Sequence, residues 1–393
     1  MMACIRFARF VVGTSLLISA VSGLDNGLGR LDNGLGPPPL ELYLIPHTHA
    51  DVGWLQTVNS LSRMNVSRIL DGVVGNLYND TMKRRRFVWD EMAFLQLWWA
   101  NQATATQKAQ FIELVKDGRI EFADNGWSQH DMGCTTLDSM LNNWVEGHEW
   151  IRTNIGAEYM PKIGWSLDPF GMSATQAVLQ AEMGMDAWFF TRVTDEIVDE
   201  MKKNKSLEFV WRASSSLPHN ESEIFAHVWE SYYCMPLPTY AFEWPASKHR
   251  IIPNASNVKE LSHNLANIAL ERAKWFLTPN VAYVAVVCVC VCCSRDSAND
   301  DQRNNNTRSH LPPLFLPSSP PSIPWGCDYQ YQNAALVYES TDMLIDEINA
   351  HTAEWGVHAQ YATPSEYLDG VHASAAAAKT TFPVKPPAEN FFP

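Results

Sequence analysis

Short apolar segments alternate with longer amphipathic ones through the first half of this chain, and that alternation restricts the folds open to it. LELYLIP (40–46), RRFVWDE (85–91), RIEFAD (119–124), KIGWSLD (162–168) and DAWFF (186–190) each have the length and apolar or aromatic content of a strand. Stretches with helical spacing lie between them. One runs around 61–78. QATATQKAQFIELVKDG (102–118) ends at Gly118, a helix stop. Thr135 to Ile151 places Leu137, Leu141, Trp144, His148 and Ile151 at a helical period, and Thr135 with Asp138 resembles a capping box. SATQAVLQAEMG (173–184) again closes on a glycine. Repeated βα units predict an α/β fold with a mostly parallel sheet, open or closed as a barrel. In either form the ligand site belongs at the carboxyl ends of the strands.

Two motifs sit at such ends. HTHADVGW (47–54) follows the first strand. His49 and Asp51, two residues apart in extended backbone, project to the same side, and imidazole with carboxylate is a good zinc-binding combination. His47 shares that face. Gly53 permits a turn, and Trp54 can pack beside a sugar. GWSLDPFGMS (164–173) ends the fourth strand. Pro169 keeps Asp168 extended, and Gly171 relaxes the turn into the next helix. An aspartate there can ligate a metal, act as a nucleophile, do both, or simply cap the helix.

The chain has 393 residues and a formal net charge of -14, an acidic balance that argues against nucleic acid or an anionic membrane as main partner. Its 15 tryptophans read mainly as core. Residues 1–23 read as a secretory signal, with Arg6 and Arg9 before the short apolar run Phe10 to Val21 and small residues after it. No other segment reads as a transmembrane helix. Asn65, Asn79, Asn204, Asn220, Asn254 and Asn305 begin N-x-S/T sequons. Together these features predict a lysosomal or secreted glycoprotein. Cys134, Cys234 and Cys327 are scattered, and the spacing does not determine any pairing.

The domain plan that follows has a signal peptide (1–23), a linker (24–39) carrying the tandem LDNGLGRLDNGLG and a triple proline, and a catalytic α/β unit in two parts, 40–280 and 325–393. The block 281–324 interrupts it. That block opens with 13 consecutive apolar residues, VAYVAVVCVCVCC, then turns polar and finally proline-rich. Cys288, Cys290, Cys292 and Cys293 fit no zinc spacing, because alternate strand residues point to opposite faces. Alternating Cys and Val is what a repeated TG dinucleotide encodes, so the block reads as unspliced intron or, if translated, as a disordered segment.

The two motifs together resemble glycoside hydrolase family 38, the zinc-dependent α-mannosidases, especially the lysosomal type. The resemblance extends to FVWDEMAFLQLWW (87–99), GRIEFADNGWSQHD (118–131), GCDYQYQNA (326–334) and HAQYATPSEYL (358–368), so it covers roughly 41–280 and 325–393. It implies an incomplete seven-stranded β/α barrel without the family's C-terminal helical bundle and β-domains. It implies His49, Asp51 and Asp168 as ligands of Zn2+, Asp168 also as catalytic nucleophile, and Asp328 as general acid/base. Asp131 is implied as an active-site carboxylate near the substrate and Trp54 as an aromatic wall of the sugar subsite. The substrate expected from it is a terminal α-D-mannoside of an N-glycan. A retaining glycosidase of this kind needs two carboxyl groups about 5–5.5 Å apart, one attacking the anomeric carbon and one protonating the leaving oxygen.

The chain departs from the family pattern at Ala50, where Asp or Asn is usual, at Met172, which stands in place of a histidine, and at Met132 and Gly133. The family's fourth zinc ligand, a histidine, is expected beyond Pro393, and none of His351, His358 or His372 falls in a matching motif. A chain lacking that ligand is expected to hold zinc less firmly and to be inactive or unstable as it stands. Two other readings compete with a working α-mannosidase: a non-catalytic mannosidase-like remnant, and a zinc-dependent polysaccharide deacetylase, for which the GWS-x-DPFG motif is not expected.

Overall fold

Alternation of Leu40, Leu42 and Leu44 with Glu41 and Tyr43 buries one face of the first strand, β1 (Leu40–Leu44), and leaves the other half-covered. β1 belongs to a computed structural model that describes residues 39–230, 233–243, 249–278, 281–282, 326–387 and 390–391. The expected signal and all but the last residue of the linker lie outside the described residues. So do Asn305, the four clustered cysteines and most of the 281–324 block.

The remaining strands are β2 (Phe87–Trp89), β3 (Ile120–Phe122), β4 (Ile163–Ser166), β5 (Ala187–Phe190), β6 (Glu208–Arg212), β7 (Glu223–Val228), β8 (Val281–Ala282), β9 (Val357–Tyr361) and β10 (Val384–Lys385). They form three sheets, with orders β8-β1-β9, β2-β3 and β10-β6-β7-β5-β4. Pairing is parallel, for example Leu40↔Val357 and Ile163↔Ala187, except between β6 and β7, which run antiparallel with Glu208 opposite His227. Single parallel bridges, His47↔Val88 and Ala123↔Ile163, link β1 to β2 and β3 to β4 across the sheet boundaries. The α/β class is as expected. The barrel is not: the described strands form three separate sheets rather than one closed barrel, and β6, with β10 parallel to it, runs against β7, β5 and β4. IGWS and AWFF are buried along their whole length, as strands covered on both faces must be.

Several element limits differ from the sequence reading. FVWDEMAFLQLWW divides into β2 and a helix, Met92–Asn101, that periodicity does not reveal; Met92, Ala93, Phe94, Leu95 and Trp98 are all buried, so no polar stripe marks it. The helix expected over 102–118 spans Ala105–Lys116, capped by a reciprocal Thr104–Gln107 box. The helix expected from Thr135 spans Leu137–Asn154 and is capped by Thr136, whose side chain accepts from Ser139 N, rather than by Thr135. Its buried face is Met140, Trp144, Gly147 and Ile151, while Leu137 and Leu141 are exposed.

Cys234 and Cys327 form a disulfide, and Cys134 is free and exposed. Among the described residues no helix is long and apolar enough to cross a membrane. The first two residues of the interrupting block form β8 and pair with β1.

Candidate active site

The carboxyl ends of β1, β2, β4 and β5 converge, and each delivers an ionisable side chain. β1 runs on into His47, His49 and Asp51. β2 runs into Asp90 and Glu91, β4 into Asp168, and β5 into Arg192. His49 also forms a parallel bridge with Asp328, and Tyr329 N donates to the His49 carbonyl at 2.9 Å. Four carboxylates, Asp51, Glu91, Asp168 and Asp328, thus face the His49 imidazole, and the Arg192 guanidinium pairs with Asp168.

His49 is buried at 3% exposure. Its Nδ1 lies 2.7 Å from Glu91 Oε1, and the same oxygen accepts from Ala50 N at 3.0 Å. The other ring nitrogen, Nε2, faces Asp51 Oδ1 at 3.5 Å and Asp168 Oδ2 at 4.0 Å. One donor atom each from His49, Asp51 and Asp168 lies within 4.8 Å of the others. Burial alone pushes the His49 imidazole down, but its contacts with Asp51 and Glu91 and the Asp328 charge outweigh that and hold it well above its usual value. Burial raises Asp51, yet the His49 contact and the Arg192 charge hold it below the usual carboxylate range. Carboxylates that keep a proton on a buried imidazole will also attract a cation. One nitrogen and two carboxylate oxygens suit zinc and, less selectively, other divalent first-row ions. The three residues therefore fit a metal.

Asp168 is positioned from both sides. Arg192 binds its Oδ1 through Nε at 2.8 Å and through Nη2, while Gln129 Oε1 accepts from Leu167 N and Asp168 N at 2.9 and 3.3 Å. Arg192 also stacks on the Phe170 ring at 4.1 Å. Burial raises the Asp168 carboxyl, partly offset by His49 and Arg192. Asp328 accepts the Tyr233 hydroxyl at 2.8 Å. Burial raises Asp328 too, against the His49 charge and the Tyr233 hydrogen bond. Tyr233 also bonds Asp168, so its hydroxyl stands between the two carboxyls.

Asp131 occupies a different kind of position. Its Oδ1 accepts from Gly133 N and Cys134 N at 2.8 and 2.9 Å, and its Oδ2 accepts from Phe170 N at 3.1 Å, tying its loop to the turn after Asp168. Trp54 is 54% exposed beyond Gly53, whose φ is +93°. Met172 is fully buried, and its backbone pairs with Phe391. Ala50 is buried with its amide on Glu91.

Three residues of this constellation are missing from the sequence reading: Glu91, Arg192 and Tyr233. Glu91 ends β2 as Asp168 ends β4, and that position was its signal. Arg192 has φ +53° just after β5, which no local pattern reveals.

Comparison with known proteins adds relatives. A family model described as the glycosyl hydrolases family 38 N-terminal domain matches residues 39–286, well over half of the chain. The chain is 32% identical over 354 residues to the epididymis-specific alpha-mannosidase of Homo sapiens, covering 85% of this chain and 31% of that protein. It is 30% identical over 370 residues to the lysosomal alpha-mannosidase of Dictyostelium discoideum, covering 91% of this chain and 32% of that one. The chain thus spans about a third of the length of these relatives. Among solved structures, an alpha-mannosidase from Enterococcus faecalis V583 shares its fold with a TM-score of 0.56 at 13% identity, covering 90% of this chain and 31% of that one.

Proposed function

Because this chain belongs to glycosyl hydrolases family 38, we propose that its convergent carboxylates form the active site of a zinc-dependent, retaining α-mannosidase acting on terminal α-D-mannosides of N-glycans. The observation that carries this reading is the meeting of His49, Asp51 and Asp168 beside Asp328 at the ends of β1 and β4. The family match over 39–286 supports reading 40–280 as the first part of the catalytic unit, and the parallel pairing of β9 with β1 supports 325–393 as its continuation around the 281–324 block.

In this reading His49, Asp51 and Asp168 hold the ion, and Glu91 orients the His49 ring. Bound there, zinc supplies a Lewis-acid seat for sugar hydroxyls. Asp168 attacks the anomeric carbon, and Arg192 keeps its attacking carboxylate charged and aimed. Asp328, held by the Tyr233 hydroxyl, protonates the departing oxygen and afterwards takes a proton from water, the sequence of a retaining glycosidase. Trp54 presents an aromatic face to the sugar. Asp131 shapes the subsite through Phe170. The names of the relatives and the signal-like N-terminus favour a lysosomal or secretory location.

The test is turnover of an aryl α-D-mannoside by the zinc-loaded chain, compared with the β-mannoside, the α-glucoside and an N-acetylated sugar. Selective release from the α-mannoside is expected and should vanish in Asp168→Asn. Acetate release without glycosidic cleavage would replace this reading with deacetylation.

A further inference from the structure

Tyr233 and Asp328 are 95 residues apart, yet their side chains share one hydrogen bond at the centre of the site. Neither lies in a strand. Tyr233 follows β7, and Asp328 sits in a turn whose Tyr329 and Tyr331 have φ of +51° and +71°. What joins the two arms covalently is the Cys234–Cys327 disulfide, one residue from each, with a sequence separation of 93. Both cysteines are buried, at 6% and 3% exposure.

The backbones of both arms also rest on the HTH segment. His47 Nε2 lies 3.0 Å from the Tyr233 carbonyl. The Cys327 carbonyl accepts from Thr48 Oγ1 at 3.3 Å and from His49 N at 3.4 Å. Gly326 backs onto His47 so closely that a Cβ would stand 1.8 Å from its carbonyl oxygen. These contacts seat each arm on β1. The disulfide fixes the arms to each other, and so sets the distance between the tyrosine hydroxyl and the carboxyl.

We propose that the Cys234–Cys327 disulfide is a positioning element for the acid/base group: it fixes Tyr233 against Asp328 and thereby determines how well Asp328 protonates a departing oxygen. This rests on the α-mannosidase reading. It predicts a dependence on the leaving group. An alkyl alcohol cannot leave without a proton, whereas dinitrophenolate can. A disulfide that merely held the fold would affect both substrates alike.

The experiment uses the full chain and Cys234→Ser/Cys327→Ser. A non-reducing peptide map of the wild type should show the crosslink, and its absence would overturn the proposal. In the double variant, kcat/KM for methyl α-D-mannoside should fall about tenfold or more, part of the ~10²–10⁴-fold worth of general acid catalysis. For 2,4-dinitrophenyl α-D-mannoside it should stay within about threefold, with bound zinc unchanged. Equal losses on both substrates, or none on either, would overturn the proposal. A wild type that cleaves neither substrate defeats the α-mannosidase reading instead. Amide exchange then decides the positioning claim: the Tyr329 and Gln330 amides, which donate to the His49 and Cys327 carbonyls, should exchange faster in the variant while β1 to β5 do not change. Unchanged exchange at those two amides refutes it. If the double variant does not fold, the same readouts are taken on wild type reduced in the folded state with a trialkylphosphine. The phosphine becomes its oxide, with water supplying the oxygen and the two protons that the separated sulfurs take up.

Discussion

Glu91→Gln isolates the carboxylate behind the proposed metal ligand. Glu91 is 1% exposed, and its Oε1 serves both His49 Nδ1 at 2.7 Å and Ala50 N at 3.0 Å. Glutamine has the same shape and keeps one oxygen that accepts both contacts, so the change removes mainly the charge. A hydrogen bond to a charged group is worth ~1.5–3 kcal/mol against ~0.5–1.5 for a neutral one, a loss of about 1–1.5 kcal/mol. That is about a tenfold weaker zinc site, the lower end of the ~10–100-fold usual for groups that orient metal-bound histidines. Competition against a chromophoric chelator measures it. Metal-free Glu91→Gln should melt below wild type, because Glu91 also holds the metal-free His49 ring, and zinc should raise its Tm by less than it raises that of wild type. Glu91→Ala strands two buried donors at about 1–3 kcal/mol each, so its metal-free form should also be destabilised. A zinc Kd for Glu91→Gln within about twofold of wild type would refute the idea that Glu91 acts through His49.

Arg192→Met removes the guanidinium from Asp168 and from the Phe170 face, and kcat/KM for aryl α-mannosides should fall by about tenfold or more while the fold survives, as thermal unfolding will show. Glu121 accepts from Ser365 N and Oγ at 3.2 and 2.6 Å, and burial raises its carboxyl above 4.5 despite those bonds. A raised acid contributes stability that is full below pH 4.5 and is lost as pH rises through its folded value, so Tm should fall less between about pH 5 and pH 7.5 in Glu121→Gln than in wild type. In a chain produced through the secretory pathway, glycan mapping should find Asn79, Asn204 and Asn254 occupied, because all three are exposed, and Asn65 bare, because it is half-buried with its Oδ1 sealed from solvent.

The strands were legible because short apolar runs bounded by polar turns have few alternatives, and β1, β4 and β5 fall inside their expected segments. The helix Met92–Asn101 was not, because its first four residues are all apolar and all buried, and such a run carries no period. In the Leu137–Asn154 helix the expected stripe is right at Trp144 and Ile151 and wrong at Leu137 and Leu141: the apolar residues outnumber those the core can cover, and Leu137, Leu141 and Val145 stay exposed. In the site, His49, Asp51 and Asp168 could be read from strand ends alone, since each sits where a parallel sheet delivers side chains to a ligand. Asp328 could be singled out only by resemblance, because nothing local in GCDYQY ties it to β1. Tyr233 and the Cys234–Cys327 pairing depend on contacts across more than 90 residues, which spacing does not encode.

The central claim is that Asp168 attacks an α-mannoside while Asp328 supplies the proton, and the anomer released first tests it most directly. Zinc-loaded chain is mixed with an aryl α-D-mannoside and the first mannose formed is followed by proton NMR before mutarotation. The account predicts the α-anomer, with no product from Asp168→Asn. The β-anomer appearing first, or unchanged turnover in Asp168→Asn, would contradict it.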